Sequence, residues 1–141
     1  MPFLRHLALR CRDMERSRRF YEQGIGWKFV GYRPSGQSLD LSDGVNNITL
    51  LQHPAGLART ALPEGEEFIH FGVIVEDLAA VWRRLAELGA EFSKENVKDR
   101  NPIDPHGPPA VSFKVLDPDG NVVDVTGNRA EWRGVTLPAE A

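Results

Sequence analysis

Apolar and polar residues alternate along residues 3–11, which is typical of a β-strand that buries one face. Leu7 and Leu9 lie on one side of this predicted strand, and His6 lies on the other. We expect a helix to cover the more apolar Leu7/Leu9 side. The side chain of His6 should therefore point to the opposite side of the sheet.

A helical segment is predicted directly after this strand. Asp13 is a suitable N-cap, and the pattern that follows predicts a helix over residues 14–23 that Gly24 and Gly26 end. Alternating runs then predict three strands, which cover residues 27–32, 37–42 and 47–53, with turn-forming residues between them. The first half of the chain therefore has the order β-α-β-β-β.

The same order returns in the second half. A predicted strand over residues 68–75 places Phe71 and Val73 on its apolar face and His70 on the other, and Asp77 then begins a helix. Three more strands are predicted, near 90–97, at 110–116 and at 121–127.

The two halves are copies of one pattern, since His6 and His70 lie 64 residues apart and the glycines that follow the helices, Gly26 and Gly89, lie 63 apart. We predict an α+β fold in a single domain, residues 1–127, built from two tandem βαβββ modules. The modules cover residues 3–53 and 68–127, with a linker at 54–67 and a C-terminal tail at 128–141. In the tail, Trp132 is the one aromatic residue and is expected to be its apolar anchor.

Composition restricts the classes of function. The chain has 141 residues, of which 41% are hydrophobic and 26% charged, as in an ordinary globular domain. Its net charge of −3 and the lack of a long basic run argue against nucleic acid or an anionic membrane as the main partner. With one cysteine and no long apolar segment, the sequence predicts a cytoplasmic protein.

A metal site is predicted from three polar residues in apolar strands. Asp124 lies in the last strand on the face opposite to Val123 and Val125, where a nearby cation would compensate for burial of its charge. Duplicated modules usually pack with pseudo-symmetry, which would bring His6 and His70 together. Two imidazoles and one carboxylate form a standard site for a divalent ion, and they do not distinguish Zn, Fe, Mn, Ni or Co. Any one of these residues alone would more often have an ordinary packing or surface role.

Short motifs near these residues carry a family resemblance. The first half has His6 with Asp13, and then the run Phe20-Tyr21…Gly24-Ile25-Gly26-Trp27. The second half has His70 with Asp77, and then the run Phe113…Asp117-Pro118-Asp119-Gly120-Asn121…Asp124. In this combination the chain resembles the vicinal oxygen chelate (glyoxalase/bleomycin resistance protein/extradiol dioxygenase) superfamily over about residues 3–127. The resemblance implies a curled mixed sheet around a central cavity that holds a divalent metal.

The resemblance also implies that metal ligands come from the first and last strands of each module. By position these ligands are His6, His70 and Asp124, with a fourth position near Thr49 or Leu50. The chain departs from the usual pattern twice, because Asp124 stands where glutamate is common and the fourth position holds no good ligand. It is therefore more similar to the members with three ligands, such as thiol-transfer resistance enzymes and extradiol dioxygenases.

The activity that the resemblance implies is metal-dependent chemistry on a small oxygenated substrate, either of the glyoxalase-like lyase or isomerase kind or of the dioxygenase kind. Lys114 occupies a position where the dioxygenase pattern has tyrosine, and His106 is expected to be an ordinary loop residue. The base could be Glu76, Asp124 or a metal-bound water. The resemblance further implies a homodimer, in which a site can combine His6 of one chain with His70 and Asp124 of another.

A second class of function stays open. Members of the bleomycin resistance type keep the fold and bind an aromatic ligand without metal or turnover. Four aromatic residues of this chain could line such a pocket: Trp27, Phe29, Tyr32 and Trp132. The histidine pair favours the metal-dependent class, since a metal-free binding protein has little use for it.

Overall fold

The structure is a computed structural model, and it describes residues 4–58, 70–92, 107, 109–133 and 137–138. Its strands are β1 (His6–Cys11), β2 (Lys28–Tyr32), β3 (Ser38–Ser42), β4 (Asn47–Gln52), β5 (Phe71–Ile74), β6 (Glu91–Phe92), β7 (Ser112–Leu116) and β8 (Val122–Thr126). Its helices are α1 (Met14–Arg19), which continues as a π-helical segment (Phe20–Ile25), and α2 (Leu78–Glu87).

The two halves of the chain form two four-stranded sheets with the same connectivity. The strand order is β1-β4-β3-β2 in the first sheet and β5-β8-β7-β6 in the second. In each sheet the first and last strands of the module pair in parallel, and the other pairs are antiparallel. The predicted α+β fold of two βαβββ modules is therefore confirmed, with two mixed sheets that do not close into one barrel.

The predicted helix starts are also confirmed. Asp13 and Asp77 have extended backbones, and their side chains accept hydrogen bonds from the amides of Arg16 and Ala80. Each carboxylate thereby satisfies one of the backbone N–H groups that lack a partner in the first helical turn. In the first module Gln52 also stabilises the start of the helix. Its side chain accepts a hydrogen bond from the Met14 amide and donates one to the Arg12 carbonyl.

The first helix ends later than predicted. The prediction that Gly24 helps to end it is wrong, because Gly24 lies inside the π-helical segment and only Gly26, with φ of 100°, forms the left-handed cap. A Cβ atom on Gly24 would lie 2.5 Å from Leu85 Cδ2 of α2. Glycine at position 24 therefore permits close packing of the two helices, which the local pattern of the first helix could not reveal.

One apolar core joins the two modules. Its fully or almost fully buried side chains come from both sheets and both helices: Leu9, Cys11, Tyr21, Leu39, Leu41, Leu50, Leu85, Val115, Val123 and Val125. α2 packs against the π-helical segment across this core. Burial of so much apolar surface is the main force that holds the modules together.

The Asp117–Asn121 turn ties the second module to the first. Asp117 accepts hydrogen bonds from the amides of Asp119 and Asn121, and the hydroxyl of Tyr21 donates to it over 2.8 Å. Asp119 in turn accepts from the Arg12 amide and the Ser17 hydroxyl. Burial raises the pKa of the Asp117 carboxyl, and the hydrogen bonds from Asn121 and Tyr21 oppose that rise. This motif therefore stabilises the fold.

Several predicted features lie wholly or partly outside the described residues. These are most of the linker at 54–67, the start of the strand at 68–75, the end of the strand near 90–97, His106 with most of its proline-rich loop, and parts of the tail at 128–141. Within the described part of the chain, no helix has the length and apolar character needed to cross a membrane.

Candidate metal centre and adjoining cavity

Each sheet buries one face in the common core, and we call the opposite face its open face. In β1, Leu9 and Cys11 point to the core, and His6 lies on the open face and is exposed. In β8, Val123 and Val125 are fully buried, whereas Asp124 lies between them on the open face. The predicted directions of these side chains are confirmed. They follow from the two-residue period of a strand with one apolar side.

His70 and Asp124 come together on the open face of the second sheet. The Nε2 atom of His70 lies 3.7 Å from Oδ2 of Asp124, and the two side chains are 29% and 18% exposed. The parallel pairing of β5 with β8 sets this approach, because it places Gly72 opposite Asp124 and His70 two residues earlier. The antiparallel pairing of β7 with β8 places Lys114 on the other side of Asp124.

The donor atoms of this pair fit a divalent metal as two of its ligands. Bonds of about 2.1 Å in tetrahedral geometry separate two donors by about 3.4 Å, close to the distance observed. A neutral imidazole and a carboxylate are common ligands for first-row ions.

His6 does not join this pair within one chain. It lies at the edge of the first sheet, where its Nδ1 atom is 2.6 Å from Oδ1 of Asn47. Among the residues that the structure describes, no three histidine, cysteine, aspartate or glutamate side chains are grouped closely enough to hold a metal. The structure therefore brings together two of the three predicted ligands and leaves His6 apart.

The position that corresponds to Asp124 in the first module is Thr49. Thr49 lies opposite Ala8 in the β1–β4 pairing, just as Asp124 lies opposite Gly72 in the β5–β8 pairing. Leu50, the other candidate for a fourth ligand, is fully buried in the core. The hydroxyl of Thr49 is within hydrogen-bond distance of Asp40, so Thr49 belongs to a network of side-chain hydrogen bonds.

That network includes residues that the sequence analysis did not identify: Arg33, Asp40 and Asn47. The Arg33 guanidinium beside Asp40 lowers the pKa of this carboxyl from 3.8 to about 2. Desolvation opposes this shift, and hydrogen bonds from Thr49 and Asn47 add to it. The sequence did contain a signal, since Asp40 stands between Leu39 and Leu41 as Asp124 stands between two valines.

A cavity of about 830 Å³ lies where the free edges of the two sheets, β1 and β5, face each other. Its lining includes His6 and Gly72 and also apolar side chains from both modules and the tail: Leu7, Trp27, Ile48, Phe71, Val73, Trp132 and Leu137. Trp27 and Phe71 stack with ring centroids 6.3 Å apart. Of the four aromatic residues predicted to line a pocket, Trp27 and Trp132 do so, whereas Phe29 and Tyr32 contact each other and Arg18 elsewhere.

Comparison with solved structures shows the same architecture. A fosfomycin resistance protein from Mesorhizobium loti aligns with a TM-score of 0.65 at 17% identity, over 91% of this chain and 93% of that chain. A possible glyoxalase from Bacillus cereus aligns at 0.59 and 20%, over 88% and 97%. An antibiotic-binding protein from a Streptomyces species aligns at 0.57 and 17%, over 89% and 95%. Likeness at these identities shows the fold alone.

Sequence comparison assigns the family. No curated protein matches the chain significantly in sequence. A sequence profile, however, matches residues 3–125, which cover nearly all of both modules and include His6, His70 and Asp124. This match and the duplicated βαβββ architecture show that the chain belongs to the Glyoxalase/Bleomycin resistance protein/Dioxygenase superfamily.

Proposed function

We propose that this protein is a divalent-metal-dependent enzyme of the vicinal oxygen chelate type that acts on a small oxygenated substrate. His70 and Asp124 of one protomer hold the metal together with the partner's His6. The observation that carries this proposal is the 3.7 Å approach of His70 Nε2 to Asp124 Oδ2 on an open sheet face.

A homodimer supplies the ligand that a single chain does not bring to the pair. His6 lies on β1, which is an edge strand of the first sheet. It lines the cavity together with several apolar side chains. Leu4 is 83% exposed and Val45 is 42% exposed at this end of the cavity. Exposed apolar groups around a cavity are typical of a protein–protein interface, and a second copy of the chain would bury them.

The residues of the site have distinct roles. His70 binds as a neutral imidazole, and Asp124 contributes the negative charge, with Lys114 as its cross-strand neighbour. The bound metal would act as a Lewis acid toward adjacent substrate oxygens and stabilise negative charge that develops there. The aromatic walls, formed by Trp27, Phe71 and Trp132, would contact the carbon skeleton of the substrate and exclude water.

Of the two carboxylates considered as a base, the geometry favours Asp124. It lies beside His70, whereas Glu76 is exposed and lines a neighbouring cavity that does not include His6. Lys114 stands in place of the tyrosine of the dioxygenase pattern, which favours lyase or isomerase chemistry over ring cleavage.

A metal-free binding protein is the alternative function. The apolar cavity of about 830 Å³ favours it, because this volume and its stacked aromatic walls suit a drug-sized planar ligand. The two functions differ in their need for a metal, and metal content therefore distinguishes them.

The test is elemental analysis of the purified protein after incubation with Zn²⁺ or Mn²⁺ and removal of unbound ion. We expect the wild type to retain metal and His70→Ala to lose it. The matched control is His53→Ala, because His53 Nε2 bonds the Leu57 carbonyl away from the proposed site. Equal metal content in wild type and His70→Ala would defeat the proposal. Metal-loaded protein is then assayed with thiohemiacetals of 1,2-dicarbonyl compounds and with catechols.

A further inference from the structure

A continuous set of hydrogen bonds leads across the open face of the first sheet from Arg33 to His6. Arg33 donates to both carboxylate oxygens of Asp40, with Nη2–Oδ1 and Nε–Oδ2 distances of 3.1 Å. Asn47 Nδ2 donates to Asp40 Oδ1 over 3.1 Å, and Asn47 Oδ1 lies 2.6 Å from Nδ1 of His6. One side chain, that of Asn47, therefore links the histidine to the Asp40 carboxylate, which Arg33 holds in place.

The carboxylate determines which way the Asn47 amide points. An ionised carboxylate can only accept hydrogen bonds, so it requires the NH₂ group of Asn47 to face Asp40. In the reversed orientation the amide oxygen would face the carboxylate with no proton between them. Thr49 is compatible with this arrangement, since its hydroxyl lies 2.8 Å from Asp40 Oδ1 and 2.9 Å from Asn47 Oδ1 and can donate its one proton to either. The same hydroxyl accepts from Arg33.

The amide orientation in turn determines the tautomer of His6. The Asn47 oxygen has no proton to donate, and Nδ1 of His6 must therefore carry one. In a neutral imidazole with its proton on Nδ1, the lone pair is on Nε2. A metal binds an imidazole nitrogen through that lone pair, and an outer hydrogen bond to the other nitrogen orients the ring.

The two modules use their acidic residues differently. In the second module Asp124 lies on the last strand, within 3.7 Å of His70. In the first module the corresponding position is Thr49, and the acidic residue is its cross-strand partner Asp40 on β3. The acidic residue of the first module is thus one strand farther from its histidine, at a distance that Asn47 spans.

We propose that Asp40 and Asn47 are positioning residues that hold His6 in the tautomer whose Nε2 atom is available to bind the metal. The metal-binding step of this inference rests on the proposed function, but the tautomer does not. One carboxylate of the chain therefore binds the ion directly, and the other acts through an amide and an imidazole.

The tautomer is measured on the full-length protein without metal. Long-range ¹H–¹⁵N correlation spectra of histidine-labelled protein, recorded at a pH where imidazoles are neutral, report which nitrogen carries the proton. We expect His6 to be protonated on Nδ1 in the wild type and to lose this preference in Asn47→Ala and Asp40→Ala. His53 is an internal control, because its Nε2 donates to the Leu57 carbonyl and it should keep the opposite tautomer.

Leu51→Ala is the matched control variant, since Leu51 lies on the same face of β4 and is 36% exposed. It should leave the His6 tautomer unchanged. Calorimetric titration with Zn²⁺ is the second measurement, in which Asn47→Ala and Asp40→Ala should weaken binding roughly ten- to hundredfold. Backbone spectra of each variant show whether it has folded.

Protonation of His6 on Nε2 in the wild type, or an unchanged tautomer in both variants, would overturn the inference. A changed tautomer with unchanged Zn²⁺ affinity would show that the two residues do not position a metal ligand. Wild-type protein that has the expected tautomer but binds no Zn²⁺ would contradict the proposed function. It would support only the part of the inference in which Asp40 and Asn47 set the tautomer of His6.

Discussion

The indole of Trp132 lies directly against the backbone of Gly72, so that a Cβ atom at position 72 would overlap the ring. Gly72 is the cross-strand partner of Asp124 and shares its open face. The C-terminal tail therefore covers the sheet immediately beside the His70–Asp124 pair. Glycine at position 72 permits this contact because it has no side chain.

The first prediction concerns this contact. Gly72→Ala should destabilise the protein by about 1–3 kcal/mol, since the added methyl group forces Trp132 from its position. The same change in a Trp132→Ala background should cost less than about 0.5 kcal/mol, which a urea-denaturation double-mutant cycle measures. Gly31→Ala is the control, because a Cβ atom there has no neighbour within 4 Å. An equal loss of unfolding free energy in both backgrounds would show that Trp132 does not contact Gly72.

The second prediction concerns the carboxylate ligand. Asp124→Asn should weaken Zn²⁺ binding by roughly a hundredfold, equivalent to about 2.7 kcal/mol, because the amide carries no negative charge. Asp124→Glu should retain binding, since the longer side chain keeps the charge and matches the residue common in the superfamily. Calorimetric titration gives both affinities. Similar Zn²⁺ affinities for the wild type and Asp124→Asn would show that the Asp124 carboxylate is not a metal ligand.

The third prediction concerns a site shared between two chains. We expect His6→Ala and His70→Ala to be deficient in metal when each is purified alone. Mixed dimers of the two variants should regain one intact site per dimer, because the unaltered His6 and the unaltered His70 lie on different chains. Metal analysis of dimers refolded from an equimolar mixture measures this recovery. A site made within one chain would show no recovery after mixing.

The fourth prediction concerns acid stability. The folded-state pKa of Asp40, about 2, lies below its ordinary value of 3.8, so the folded state favours the ionised form. Its stabilising contribution is therefore present above about pH 4 and is lost as the pH falls toward 2. Because Arg33 is 48% exposed, screening limits this contribution to about 1 kcal/mol.

Urea denaturation of the wild type and Asp40→Asn checks this contribution. The difference in unfolding free energy between the two proteins should be largest near pH 6 and should shrink steadily as the pH falls from about 4 toward 2. A difference that stays constant over this range would mean that the Arg33–Asp40 pair does not stabilise the ionised carboxylate.

The strand and helix order was predictable because it depends on local patterns. A strand with one buried face repeats every two residues, and Asp13 and Asp77 begin their helices through bonds to amides three residues away. Gly24 was misread as a helix end because its small size serves a contact with Leu85, which is distant in sequence. Asp40 alternates with Leu39 and Leu41 in β3 as Asp124 alternates with valines in β8, but its role depends on contacts with Arg33 and Asn47 outside its own strand, which the pattern of β3 does not show.

The sequence by itself determined the duplication, the face of the sheet on which His6, His70 and Asp124 lie, and the family motifs, because these depend on residue order and on the period of each element. Only the tertiary structure decided which groups meet. Strand pairing, which sequence order does not specify, brings His70 to Asp124 and joins His6 to Asn47. The course of the C-terminal tail places Trp132 over Gly72. Each of these contacts joins residues that are far apart in the chain, and the local sequence patterns that define single strands and helices do not specify them.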